Sequence, residues 1–392
     1  MMIEKIHQDY KDKKWRSASS LEGYILNRYG WDLSTNLGGV SVKNPFGKGA
    51  GQLSLNTSQV ENDAVGGLGF VVLKTVIAQD ERGDSVQSAW MVDAPKMKVE
   101  QITAETGELG WTVSWKGRGW SGTFAEYIDF VKTAQEIGKQ HNTTIVPSCQ
   151  IPLFKGPENP YENEYVFTLE SLAEVLQNTA DPLLELDLSP TLLKDEPGIT
   201  AAVVLEQMEY AIPAARRLLP PHIKLGLKLF NLSALEEQIK LVQDGASIWR
   251  QLDWLTIGNR LFNEQKGISY GGYDLSNRNL AVLDAVRKEE KRLGQTILPR
   301  NVSGTGNICS GRMMVEYALR GCTTGHLHTY FQLPRRVYGH DLGSRTVSAL
   351  HELIFNPQEG LIVTLERVRM EHGLENEILK YDDFFQNRSF ER

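Results

Sequence analysis

Eight short runs of apolar and β-branched residues recur along the chain, and helix-period segments separate most of them. That alternation confines the fold to strands interleaved with helices. The runs fall at 44–51, 69–76, 143–151, 182–190, 223–231, 253–259, 300–306 and 323–329. Between them, Leu235, Ile239 and Val242 share one helical face with Gly245 at the cap position, and Phe124, Ile128 and Val131 share another that ends at Gly138. Eight strands in 392 residues fit an α/β fold of the closed (β/α)8 TIM-barrel kind better than an open sheet. The expected barrel covers 41–357, with an N-terminal extension over 1–40 and a C-terminal tail over 358–392. The tail carries "LIVTLERVRMEHG", which reads as a helix packed on the barrel or on a second copy of the chain, so a homo-oligomer stays open.

Composition narrows the partners. With 41% hydrophobic and 23% charged residues the chain can bury a large core. A net charge of −7 gives no basic field for nucleic acid or an anionic membrane, which leaves a small-molecule substrate as the default. The opening "MMIEKIHQDYKDKKW" is too polar for a secretory signal and no run of roughly 18 apolar residues occurs, so a cytoplasmic protein without a membrane partner is expected. Cys149, Cys309 and Cys322 cannot supply the four thiolates of an iron–sulfur cluster, and no metal site is expected.

The stretch "NVSGTGNICSGR" at 301–312 places Gly304 and Gly306 at the end of the seventh run, with Ser310 capping a helix that runs to Leu319 and stops at Gly321. In such barrels the loops after strands seven and eight commonly bind phosphate through backbone N–H groups and a helix N-terminus. A tight turn that binds nothing accounts for the same glycines. Lys74 and Lys228 each fall near the C-terminal end of a run among Val, Leu and Phe. Two lysines converging on the barrel mouth point to an anionic or electron-rich ligand.

Taken in order, "NPFGKGAG", "GGLGFVVLKTV", "LLELDLSP", "LGLKL", "LTIGN", "SGTGNI" and "GCTTGHLHT" resemble the motifs of the dihydroorotate dehydrogenase-like flavoproteins over residues 40–332. The resemblance implies an FMN-binding (β/α)8 barrel. Gly49, Ala50 and Gly51 match the segment that lies against the flavin, Ala50 standing where the family often has serine. Lys74 and Lys228 match the lysines that face the isoalloxazine ring, and Thr256 matches a hydroxyl-bearing position on strand six. Gly271 and Gly272 resemble a glycine turn near the ribityl phosphate. Gly304, Gly306, His328 and Thr329 match the phosphate cradle, with His328 replacing a usual glycine.

The family's substrate shell is not matched. Where the resemblance implies asparagines around a pyrimidine, the chain has Asp187, Thr191 and Leu255, and "VSWKGRGW" replaces a further pair. Each lost amide removes about 1–3 kcal/mol of polar recognition, so dihydroorotate is not the expected substrate. The family's cysteine or serine base is also missing from "DLSPT", leaving Asp187 and Ser189 as candidate catalytic groups, although Asp187 paired with Lys228 and Ser189 as a turn residue are equally plain readings. Lys194, Asp195 and Glu196 lie on the loop that family members use as a lid. Trp111, Trp115 and Trp120 wall a flatter pocket, with Trp115 as the substrate contact, or else cover a hydrophobic rim. Three readings follow: an FMN-dependent oxidoreductase acting on a CH–CH bond of a changed substrate, a dihydroorotate dehydrogenase with unusual ligands, and a phosphate-ligand-binding barrel without redox activity.

Overall fold

The computed structural model describes residues 2–85, 96–103, 109–116, 119–152, 162–189, 198–263, 268–272, 275–374 and 378–382. All eight expected strands form: β1 (Phe46–Lys48), β2 (Phe70–Val72), β3 (Thr144–Val146 continued by Ser148–Gln150), β4 (Leu183–Asp187), β5 (Lys224–Lys228), β6 (Trp254–Ile257), β7 (Asn301–Thr305) and β8 (Thr324–Leu327). Each pairs in parallel with the next, and β8 pairs with β1, so the sheet closes into a barrel. Pro147 interrupts β3 because it has no N–H to give the ladder. Its carbonyl still accepts from the Glu185 N–H at 2.9 Å, so the first half of the strand serves β2 and the second serves β4.

Strand alternation sends one set of side chains into the barrel and the other toward the helices. Phe70, Val72, Val146, Leu183 and Trp254 fill the lower interior, together with Leu37, Val40 and Val42 from a hairpin of Thr35–Leu37 and Val40–Val42 that plugs the barrel floor. That hairpin spans the expected boundary at residue 40. Two strand glycines make room for the large rings: a Cβ at Gly47 would lie 2.1 Å from the Phe70 ring, and one at Gly226 would lie 1.9 Å from the Trp254 indole.

Helices follow the strands around the outside. The helix expected to end at Gly138 runs on through Phe124–Gln140, because Gly138 is needed for close approach: a Cβ there would lie 2.5 Å from Ile145 and from the Thr143 carbonyl. Ser310 caps Gly311–Leu319 as expected, accepting from the Met313 N–H at 3.1 Å. The tail helix Leu361–Glu371 packs on this helix, and a Cβ at Gly311 would lie 1.9 Å from the Leu361 nitrogen. Segments from the N-terminal extension and the C-terminal tail meet there. Trp31–Asp32 pairs with Leu379–Lys380, and the Trp31 indole donates to Glu366 Oε1 at 2.6 Å.

Two insertions leave from C-terminal strand ends, after β2 and after β6. They build one antiparallel sheet from Lys96–Thr103, Leu109–Lys116, Leu261–Asn263 and Ile268–Gly272. Among the described residues, no helix is long and apolar enough to cross a membrane.

Candidate functional site at the C-terminal face

Charged side chains collect where the strands end. On β4, Glu185 and Asp187 lie two residues apart and therefore face the same way, into the barrel. Lys228 stands opposite Asp187 in the β4–β5 register, with Nζ 2.8 Å from Asp187 Oδ2 and 3.3 Å from Glu185 Oε1. Thr75, just beyond β2, donates to Asp187 Oδ2 at 2.8 Å, and its hydroxyl is 3.1 Å from that of Ser148 on β3. Ser148 in turn reaches Glu185 Oε1 at 3.5 Å, and His326 Nδ1 on β8 lies 3.5 Å from Glu185 Oε2.

One lysine therefore serves two buried carboxylates, and their proton affinities separate. Burial pushes the Asp187 carboxyl up, but Lys228, Arg260 and Thr75 together outweigh it and hold it below the usual carboxylate range. Burial dominates at Glu185 and pushes it up to about 7, against the pull of Lys228. Burial and the nearby Lys228 charge push His326 down to about 3, so its ring is neutral. Lys74, 4% exposed, differs from Lys228: among the described residues its ammonium makes no hydrogen bond or ion pair. Burial and the neighbouring Arg260 lower it to about 7.

Beside this cluster lies a cavity of about 310 Å³ on the β7–β8 side of the mouth. Trp111, Arg260, Gly271, Gly306, His328 and Thr329 line it. Gly306 (φ +90°) and Asn307 (φ 50°) are both left-handed and turn the chain over the cavity floor. Thr329 donates to the Gly271 carbonyl at 3.5 Å, which joins the inserted sheet to the β8 loop. Gly51 is fixed by His328, whose Nε2 lies 2.1 Å from where its Cβ would be, and Gln332 bonds the same ring at 2.9 Å. Ala50 packs on the barrel-interior cluster, and Gly49 lies against His326 on β8. Thr256 Oγ1 is buried without a partner among the described residues.

The structure thus gathers Gly271, Gly306, His328 and Thr329 around the cavity, and Lys74, Asp187 and Lys228 in the adjoining cluster. Ser189 is half-buried two residues past Asp187. Gly272 pairs with Thr112 in the inserted sheet, where a Cβ would lie 2.7 Å from the Thr112 hydroxyl. One assignment is corrected. Leu255 is fully buried on the helix-facing side of β6, because Trp254 and Thr256 on either side of it take the interior, so it belongs to the core and not to a substrate shell. At Gly304 a Cβ would lie 2.5 Å from the Tyr317 ring, so packing calls for glycine there whether or not its backbone meets a ligand. Trp111 lines the cavity, whereas Trp120 stacks on Phe130 with centroids 5.3 Å apart and covers a helix. Thr191, the Trp115 side chain, Lys194, Asp195 and Glu196 lie outside the described residues.

Glu185, Arg260, Thr75, Ser148 and His326 escaped the sequence reading. The signal for Glu185 was present in "LLELDLSP", where two acids alternate within an apolar run. Arg260 gave none, since its role depends on the turn after β6.

Fold and site together define a closed parallel (β/α)8 barrel whose C-terminal face holds a buried, lysine-centred polar site beside a cavity. Neither a family model nor a curated protein matches the chain.

Proposed function

We propose that this mouth binds FMN and that the chain is an FMN-dependent oxidoreductase, acting on a CH–CH bond of a small polar molecule other than dihydroorotate. The observation that carries the reading is the Lys74 ammonium, buried at the end of a barrel strand with no partner among the described residues. Burial and Arg260 lower its pKa to about 7, so an anionic or electron-rich ligand edge is what would hold it charged. The donor set suits a flavin nucleotide: Lys74 for the electron-rich edge of the ring, the Thr256 hydroxyl, which has no partner among the described residues and stands opposite Lys228 in the β5–β6 register, as a further donor, Ala50 as an apolar contact, and the Gly306–Asn307 turn with Thr329 for the phosphate.

Lys228 is already engaged by Asp187 and Glu185, so Lys74 carries the charge that answers the cofactor. When bound, FMN supplies hydride exchange with the substrate. Arg260 and Trp111 line the adjacent cavity, where a polar, flat molecule fits their chemistry. The same glycine turn also suits another phosphorylated ligand, and the colour of the protein separates the two readings. Purified protein is expected to show flavin absorbance that denaturation releases as free FMN, and Lys74→Ala is expected to lower the retained fraction. A colourless protein that does not take up added FMN overturns the proposal.

A further inference from the structure

Four side chains connect the mouth of the barrel to its interior. Asp187 Oδ2 accepts from Thr75 at 2.8 Å, Thr75 Oγ1 is 3.1 Å from Ser148 Oγ, and Ser148 reaches Glu185 Oε1 at 3.5 Å. Lys228 bridges the two ends, 2.8 Å from Asp187 and 3.3 Å from Glu185. A hydroxyl both donates and accepts, so such a chain relays a proton when its members reorient.

We propose that Glu185 and Asp187 form one proton-carrying unit, in which the Thr75 and Ser148 hydroxyls pass a proton between the buried Glu185 carboxyl and the Asp187 carboxylate at the mouth. The balance is complete. Glu185 releases a proton to Ser148 Oγ, Ser148 gives its own to Thr75 Oγ1, Thr75 gives its own to Asp187, and rotation of the two hydroxyls resets the chain. One proton moves and no charge is created, because Lys228 lies beside whichever carboxylate is ionised.

The surroundings allow only one negative charge to be well compensated. Facing Glu185 are Lys228 from β5, His326 from β8, Ser148 from β3 and Asp187 on its own strand; the Tyr127 phenol from helix Phe124–Gln140 also feels its charge. Lys74 and Arg260 bear on the Asp187 end. His326 is neutral and adds no cation. Glu185 is fully buried with Oε2 lacking a hydrogen-bond partner among the described residues, which suits an uncharged acid better than a carboxylate. In this unit Asp187 is the end that exchanges a proton at the mouth, and Glu185 acts through it. The assignment to catalysis rests on the oxidoreductase reading, whereas the proton unit itself is measurable without flavin.

Infrared spectroscopy of the full chain without added cofactor tests it. The wild type should show the carbonyl band of a buried carboxylic acid that titrates away near pH 7, close to the Glu185 value of about 7. Glu185→Gln should abolish the band. Asp187→Asn should move its midpoint down by about one pH unit, because Lys228 then answers Glu185 alone. On mixing into D2O the band should shift as the acid proton exchanges, and Thr75→Val should slow that exchange at least about tenfold by breaking the relay. Ser148→Ala breaks the same chain if the valine variant fails to fold. A wild type with no such band, a midpoint unmoved by Asp187→Asn, or exchange as fast without the hydroxyls overturns the proposal. A colourless protein that passes these tests overturns only the flavin reading.

Discussion

Lys228 and Asp187 face each other across neighbouring strands, with Nζ and Oδ2 2.8 Å apart. The pairing is one of the two readings that the sequence leaves open for Asp187. Burial does push the acid up, but Lys228, Arg260 and Thr75 outweigh it, and the carboxylate is ionised at neutral pH. An ionised carboxylate at the mouth accepts a proton directly.

Asp187→Asn therefore removes the acceptor while keeping the shape of the residue. We expect the variant to retain FMN and to slow flavin reduction by its substrate on the order of a hundredfold, the usual scale of general base catalysis. Stopped-flow absorbance measures this step. A wild-type rate would confine Asp187 to holding Lys228 in place and make Ser189 the next residue to test.

Dihydroorotate should not be turned over at a measurable rate with any common electron acceptor. Of the positions that stand where the resemblance implies asparagines, Asp187 is committed to Lys228 and Thr75, and Leu255 faces the helices from inside the core. Each missing amide costs about 1–3 kcal/mol of recognition, and the losses fall on the same ligand. Steady-state assays with purified, flavin-loaded protein check this, and robust turnover would refute the argument.

What the sequence made legible follows from periodicity. Every barrel strand was visible because a parallel strand buried on both faces is a short apolar run, and the closing contact between β8 and β1 needs only eight of them. The helix that ends past Gly138 was misread because a glycine that serves close packing looks in sequence like a glycine that serves a cap. Leu255 shows the limit of motif matching: the alternation of Trp254, Leu255 and Thr256 already decides which residue faces the barrel. Arg260 and the Thr75–Ser148 bridge depend on contacts between strands distant in sequence, and no local pattern encodes them.

Acid should loosen the N-terminal helix through His351. Its Nδ1 accepts from the Trp15 indole at 3.0 Å and its Nε2 donates to the Tyr10 carbonyl at 3.0 Å, so the neutral ring ties Met2–Asp12 and the segment after it to the helix Arg345–Phe355. Burial, with His340, Lys13 and Arg16 adding to it, lowers His351 to about 4 from an ordinary value of 6.5. The unfolded chain thus binds more protons than the folded one between those values. The stability contribution is whole above pH 6.5 and is lost as the pH falls toward about 4. Thermal unfolding midpoints measured across this window should drop for the wild type. His351→Gln, whose amide can both accept and donate, should flatten that part of the profile, and parallel profiles would show that His351 is not the group responsible.

Gly226 sits where the barrel can least tolerate a side chain. It lies on β5 beside Trp254, the fully buried indole that fills the lower interior with Leu183, Phe70 and the floor hairpin. A Cβ at this position would lie 1.9 Å from the indole, a separation that no rotamer change of a ring walled in by Gly38 and Leu183 relieves. The strand must shift or the indole must leave its place, and either disturbs the register that sets Lys228 opposite Asp187 two residues further on. We expect Gly226→Ala to cost about 1–3 kcal/mol of folding free energy or more, the range for overpacking a dense core. Chemical denaturation with tryptophan fluorescence as the probe reports the stability directly. Ala at Gly294, a left-handed position with nothing within 4 Å of its Cβ, provides the control for backbone strain without a clash. Gly226→Ala should be the more damaging of the two and should also weaken flavin retention, since it acts on the strand that carries Lys228; equal costs in the two variants would show that the contact with Trp254 does not govern this part of the barrel.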